Sequence, residues 1–159
     1  MPKAYITAPY MSKSFFETPQ LHGKIIIDTA YRNFLETIEA TVKSCGLETF
    51  LLHKDLHKWG DVYIDPKELG KKSLEVVTSS DVIVAYPERS VGVNIELGWA
   101  SLLKKKIIVL VNERDNVSLM HTGLNGVTNT EIIKFRDIVD LKTKLRECLL
   151  NLNEPGSKQ

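Results

Sequence analysis

Short apolar runs alternate along the chain with longer segments in which apolar residues recur at helical spacing. The run Val82–Tyr86 is continuously apolar, which is typical of a parallel strand covered on both faces. The other predicted strands are Lys3–Ala8, Thr49–His53, Ile107–Val111 and Ile132–Phe135. We therefore expect a five-stranded sheet.

Segments with a 3.6-residue apolar period, or with a clear helix start, lie between these runs. Asp65 followed by Pro66 is a typical start, because aspartate caps the first turn and proline fits the first helical position. The predicted helices are Ile25–Ser44, Asp65–Ser79, Val91–Leu103, Leu119–Gly123 and Ile138–Asn151. Together the elements predict an α/β fold, a flavodoxin-like (Rossmann-like) five-stranded parallel sheet with helices on both faces.

The pattern also predicts how the chain is divided and where it binds ligands. We expect one domain over residues 1–152 and a polar tail over residues 153–159. Ligands of such sheets bind at the carboxyl ends of the strands, near the point where the strand order reverses. The polar connection Tyr10–Lys24 is long for a compact domain and should contribute to this region.

Composition narrows the classes of function. The chain has 159 residues, 43% of them hydrophobic and 26% charged, with a net charge of +1. A nearly neutral chain gives no reason to expect a nucleic-acid polymer or a membrane as partner. The sequence shows no secretory leader, no metal-ligand spacing and no redox-cofactor fingerprint, so we expect a cytoplasmic protein without a cofactor or a metal.

The segment Ser90–Ala100 carries the chemistry that stands out. Ser90 precedes a predicted helix whose free backbone N–H groups favour an anion, and Gly92 allows a ligand to approach the backbone closely. Glu96 lies among apolar neighbours, roughly 9 Å further along the helix axis. Ser90 could equally be a plain helix cap, and Glu96 could be a buried carboxylate paired with a lysine or a tyrosine.

The stretch Ser73–Val111 resembles a known family, above all in Asp81–Ala85 and Ser90–Ala100. The family is that of the nucleoside 2-deoxyribosyltransferases. The similarity is greatest to its 2'-deoxynucleoside 5'-monophosphate N-hydrolases, which have a serine where the transferases have an aspartate. Ser90 occupies that position, and the first strand, Ala4–Pro9, fits the opening strand of the family.

The resemblance implies an N-glycosidase that splits a nucleoside 5'-monophosphate into free base and sugar phosphate, and a homodimer. It implies that Glu96 is the nucleophile and that Tyr5 orients it. The substrate-binding residues that it suggests are Ser90, Gly92, Ser12, Lys13, His53, Ser73 and Tyr86. Ser90 and Gly92, completed by Ser12 and Lys13, are expected to bind the 5'-phosphate.

One position departs from the family. The family has an acid eight residues before the aspartate that opens the third strand, and it helps to protonate the leaving base; here that residue is Ser73. A serine cannot act as a general acid near neutral pH. The candidate substitutes are Asp61, Asp65 and His53. Two alternatives therefore stay open: a nucleoside deoxyribosyltransferase, and a nucleotide-binding module without catalytic activity.

Overall fold

The computed structural model describes residues 1–10, 14–16 and 25–152, and for residues 14–16 and 25–27 only the backbone. The strands are β1 (Lys3–Thr7), β2 (Ser14–Phe16), β3 (Ile25–Ile27), β4 (Glu48–Leu51), β5 (Val82–Ala85), β6 (Lys106–Asn112) and β7 (Thr130–Phe135). The helices are α1 (Thr29–Ser44), α2 (Leu52–Asp55), α3 (Pro66–Ser79), α4 (Val91–Leu102), α5 (Leu119–Gly123) and α6 (Ile138–Asn151). Within the described ranges, no helix is both long enough and apolar enough to cross a membrane.

Five strands form one parallel sheet in the order β4-β1-β5-β6-β7. Tyr5 of β1 is paired with Phe50 on one side and with Ile83 on the other. From β1 the chain continues to one edge and then returns to the other side of β1, so the order reverses between β1 and β5. The expected flavodoxin-like architecture is confirmed, and its switch point lies at the carboxyl ends of these two strands.

Helices cover both faces of the sheet, as predicted. Ala4, Ile6 and Val84 face the layer of α1 and α6, and Tyr5 and Ile83 face the layer of α3 and α4. Successive side chains of a strand point to opposite faces, so β1 contributes to two separate cores. This alternation places Tyr5 and Thr7 together on the face that α3 and α4 cover.

The predicted helix Ile25–Ser44 begins too early. Residues Ile25–Ile27 form a strand that pairs antiparallel with Ser14–Phe16. The helix starts at Thr29, where the Asp28 carboxylate accepts a hydrogen bond from the Ala30 N–H at 3.2 Å. Three consecutive β-branched isoleucines favour a strand, and Ile27 coincides with the helical period only by chance. The long polar connection Tyr10–Lys24 therefore contains a strand, Ser14–Phe16.

The predicted strand Thr49–His53 is displaced. The strand is Glu48–Leu51, and His53 lies in the short helix α2 rather than at a strand end. The Leu51 N–H donates to the Asp55 carboxylate at 2.8 Å, and this bond turns the chain into the helix. A run of apolar residues alone does not distinguish a strand from one turn of buried helix.

We expect the α1–sheet core to dominate stability. Leu35 is fully buried in that core, so Leu35→Ala should lower the free energy of unfolding by about 2–5 kcal/mol. Leu119 is 89% exposed, so Leu119→Ala should change it by less than about 0.5 kcal/mol. Urea unfolding of the two variants measures both values, and equal losses would show that the Leu35 layer is not the core.

Candidate active site at the switch point of the sheet

A buried carboxylate lies where β1 meets α4. Tyr5 and Thr7 leave β1 on the same face, and Glu96 projects from the second turn of α4 toward them. The Tyr5 hydroxyl donates to Glu96 Oε1 at 2.8 Å, and the Thr7 hydroxyl donates to Glu96 Oε2. Each carboxylate oxygen therefore has its own donor from the strand, which fixes the orientation of the carboxylate.

The surroundings of Glu96 have opposing effects on its pKa. Burial raises the pKa, because the charged form loses its hydration, while hydrogen bonds from Thr7, Tyr5 and Ser73 lower it; the net effect is upward. The pKa of Tyr5 is also raised, first by burial and then by the charge of Glu96. The phenol therefore keeps its proton and remains a donor to the carboxylate.

The amino end of α4 lies about one and a half turns before Glu96. Ser90 caps this helix, and its hydroxyl accepts a hydrogen bond from the Val93 N–H at 3.3 Å. Among the described residues, a Cβ placed on Gly92 would meet only the Ser90 hydroxyl, at 3.9 Å, so these residues leave the space beside this turn open. The exposed Arg89 directly precedes the cap.

A cavity of about 640 Å³ joins these groups. Ser90, Gly92 and Glu96 line it, together with Thr7 and Arg89. Among its described lining residues, Glu96 is the single carboxylate and Arg89 the single arginine or lysine. The opposite part of the cavity is apolar, with Ile64, Pro66, Leu69, Ile95 and Trp99. The cavity therefore offers a polar end, a carboxylate and an apolar end.

Ser73 lies on α3, is buried, and lines the same cavity. Its hydroxyl approaches Glu96 and Tyr5 closely enough to lower the pKa of both groups. The family acid position is thus spatially next to the carboxylate, but it supplies a neutral hydroxyl. Among the described lining residues, no second carboxyl group stands opposite Glu96.

Several other predicted site residues lie elsewhere. His53 is fully buried, does not line the cavity, and contacts the Pro9 carbonyl with Nε2 at 3.0 Å; burial lowers its pKa to about 4. Tyr86 lines a neighbouring cavity and donates to Glu88 at 2.5 Å. Ser12 and Lys13 lie outside the described residues.

The suggested substitutes for the family acid lie outside the described lining of the cavity. Asp65 caps α3 by accepting a hydrogen bond from the Lys67 N–H at 3.0 Å, as predicted, and Asp61 follows a short turn. Across the described part of the chain, no three histidine, cysteine, aspartate or glutamate side chains are grouped to hold a metal ion.

Three residues of the site were missed by sequence reasoning. Thr7 follows Tyr5 by two residues, so strand alternation alone could have placed it beside Glu96. Arg89 is the residue before Ser90, and its charge next to a predicted anion site was a usable signal. His57 lines the cavity from an irregular connection, where no periodic pattern indicates the direction of a side chain.

Comparison with known proteins supports the fold but does not show the family of this chain. No protein-family model matches the chain, and no curated protein matches it. The CMP N-glycosidase BcmB of Clostridium botulinum superposes with a TM-score of 0.68 at 22% identity, over 92% of this chain and 98% of that chain. BlsM, solved in solution, superposes with a TM-score of 0.72 at 22% identity, over 99% of this chain and 97% of that chain. A conserved protein of Enterococcus faecalis V583 superposes with a TM-score of 0.54 at 19% identity, over 93% of this chain and 99% of that chain.

The buried carboxylate should reduce stability above its ordinary pKa. Glu96 has a higher pKa in the folded chain than its ordinary value of 4.5, so stability falls as pH rises through that range. Glu96→Gln should therefore unfold at a higher temperature than the unmodified protein at pH 8, with a smaller difference near pH 4. A gain of about 1 kcal/mol corresponds to about 2–4 °C.

The matched control is Glu147→Gln on the exposed side of α6, which should leave the unfolding temperature unchanged at both pH values. Thermal unfolding followed by circular dichroism measures all three proteins. A Glu96→Gln protein that is less stable than the unmodified protein at pH 8 would show that the hydroxyl donors outweigh the cost of burying the charge.

Proposed function

We propose that the protein is an N-glycosidase that hydrolyses a nucleoside 5'-monophosphate to free base and sugar 5-phosphate, with Glu96 as the nucleophile. One observation carries the proposal: the buried Glu96 carboxylate, hydrogen-bonded through both oxygens, lines a cavity that also contains a helix amino end. A carboxylate is costly to bury, and its hydrogen-bonded orientation suits attack on a fixed carbon.

The chemistry needs one covalent intermediate. A Glu96 oxygen forms a bond to the anomeric carbon while the carbon–nitrogen bond breaks, and the electron pair leaves with the base. Water then attacks the same carbon: its hydroxyl group stays on the sugar 5-phosphate, its second hydrogen leaves as the proton that the departed base takes up, and the carboxylate is restored. Tyr5 and Thr7 position the attacking group throughout, since their hydroxyls bind its two oxygens.

Glu96 must be ionised to attack, and the hydroxyl groups around it support this. Burial disfavours the charge, but Thr7, Tyr5 and Ser73 all stabilise the carboxylate form. The serine at the family acid position thus has a physical role, as a donor to the nucleophile rather than as an acid to the base.

We propose the amino end of α4 as the site of the 5'-phosphate. Free N–H groups and the helix dipole favour an anion there, and Arg89 adds the one positive side chain among the described lining residues. Ser90 lies roughly 9 Å from Glu96 along the helix axis, so a nucleotide bound beside the helix can contact both residues. A nucleoside monophosphate therefore fits better than a free nucleoside.

A structural neighbour supports the same reaction class. One solved structure with this fold is a CMP N-glycosidase, at 22% sequence identity to this chain. The support from that protein is independent of the hydrogen bonds and the cavity described above.

A nucleotide-binding module without catalysis is the second candidate. It is favoured by Ser73 and by the lack of a second carboxyl group among the described residues that line the cavity. In that case Glu96 would be a binding group for a sugar hydroxyl.

Base release separates the two candidates. The unmodified protein should liberate base from one or more ribo- or deoxyribonucleoside 5'-monophosphates, and Glu96→Gln should lower kcat/KM at least about 1,000-fold. On the acidic side kcat/KM should fall with an apparent pKa above 4.5, because Glu96 becomes protonated there. Chromatography of the free base measures both effects.

Glu147→Gln is the control and should keep full activity. Nucleotide binding without base release from any monophosphate would exclude the enzyme and leave the binding module. Base release that survives in Glu96→Gln would exclude Glu96 as the nucleophile.

The proposed phosphate site is tested with two substitutions of the helix-capping residue Ser90 that differ in charge. Asparagine and aspartate both cap helices well, so Ser90→Asn and Ser90→Asp should fold alike. The aspartate should raise KM for a monophosphate about tenfold or more relative to the asparagine, because it repels the phosphate, with little effect on the matching nucleoside. Equal KM values for the two variants would place the phosphate elsewhere.

A further inference from the structure

The outward face of α4 is an apolar stripe. Its exposed apolar side chains are Val91, Ile95 and Leu102, which are 73%, 49% and 78% exposed. Together with Gly98, which is also exposed, they recur at intervals of three or four residues and therefore lie in one row along the helix. A surface helix ordinarily turns polar residues to the solvent. An exposed apolar row of this length is typical of a surface that binds another protein.

The stripe carries no charge. Glu96 is the one charged residue of α4, and it is buried on the inner side of the helix. Arg89 and Lys104 flank the stripe at its two ends and are exposed, so water screens them. In a dimer with two-fold symmetry a surface meets its own copy, so a surface with charges of one sign repels itself. An uncharged apolar surface avoids this repulsion and suits a second copy of this chain.

The order of large and small residues along the stripe matches its own reverse. A two-fold axis level with residues 96 and 97 places Ile95 opposite the partner's Gly98, and Val91 opposite the partner's Leu102. A large side chain then packs over a glycine, as a knob over a hole. In a parallel pair the two glycines would face each other and leave a gap. The antiparallel pair also aligns the two helix dipoles favourably.

Gly98 has room for this contact. Among the described residues, a Cβ placed on Gly98 would meet nothing within 4 Å. Glycine in the interior of a helix is less stable than alanine by about 0.5–1 kcal/mol. That cost is offset where another chain approaches the helix closely, as the antiparallel pair requires.

We infer that α4 is the contact surface of a homodimer, in which the α4 helices of two copies pack antiparallel across a two-fold axis. Val91 and Ile95 also line the cavity that contains Glu96. The partner helix therefore lies at the edge of that cavity. The inference does not depend on the proposed reaction, because it concerns only the assembly of the chain.

Analytical ultracentrifugation tests the dimer. At about 100 µM the unmodified protein should sediment with twice the chain mass of 18.0 kDa. Leu102→Glu places a charge opposite an apolar side chain on both sides of the interface, so it should raise the Kd of the dimer at least about 100-fold. Val139→Glu is the matched control, because Val139 is 69% exposed on α6, and this variant should remain a dimer.

Gly98→Leu is the second variant, and it keeps the test decisive if Leu102→Glu does not fold. The new side chain finds open space within its own chain, so circular dichroism should show an unchanged fold. The same side chain fills the space that the partner's Ile95 needs, so the protein should sediment as a monomer.

Cysteine cross-linking tests the antiparallel arrangement. Val91→Cys combined with Leu102→Cys should form disulfides between chains under mild oxidation, because the two positions face each other across the axis. Each single variant should remain uncross-linked, since its thiol faces an aliphatic side chain of the partner. The native Cys45 and Cys148 are buried and are kept in every variant.

The outcomes are distinct. A dimer that Leu102→Glu and Gly98→Leu abolish, with cross-links in the double cysteine variant alone, supports the inference. A monomer at about 100 µM overturns it, and so does a dimer that both substitutions leave intact. Cross-links that form as readily in Leu102→Cys alone as in the double variant overturn the antiparallel arrangement. None of these results bears on Glu96 as the nucleophile.

Discussion

The site depends on one buried contact, the Glu96 carboxylate bonded to the hydroxyls of Tyr5 and Thr7. A carboxylate 7% exposed is costly unless each oxygen has a donor. Both donors come from the central strand β1, so the contact requires the register of the sheet and the position of α4 to agree. In the proposed reaction, the same contact fixes where the anomeric carbon must lie in the cavity.

Two groups of one helix define an order along the proposed substrate. We propose that the amino end of α4, with Ser90 and Arg89, is suited to the phosphate and that Glu96 is suited to the anomeric carbon. Both groups lie on one segment of the chain, at the switch point of the sheet.

The sequence predicted the part of the structure that follows from local periodicity. The buried strand at Val82 and the cap at Asp65 were recognisable, because hydrophobic period and capping act over a few residues. The predicted start of α1 was wrong, because the pairing of Ile25–Ile27 with another strand outweighs the local helical spacing. His53 and His57 could not be distinguished by pattern: only the tertiary fold buries His53 away from the cavity lining and places His57 in that lining.

The most direct test is a search for the covalent intermediate. Fluorine at the 2' position of the sugar slows both steps, because it destabilises their oxocarbenium-like transition states. After long incubation with a 2'-fluoro nucleoside 5'-monophosphate, the slowly hydrolysed glycosyl-enzyme should accumulate. Intact-mass spectrometry should then show the added mass of one sugar phosphate, and peptide mapping should locate it on Glu96. Turnover of unmodified substrate with no adduct, or an adduct on another residue, would contradict the assignment of Glu96 as the nucleophile.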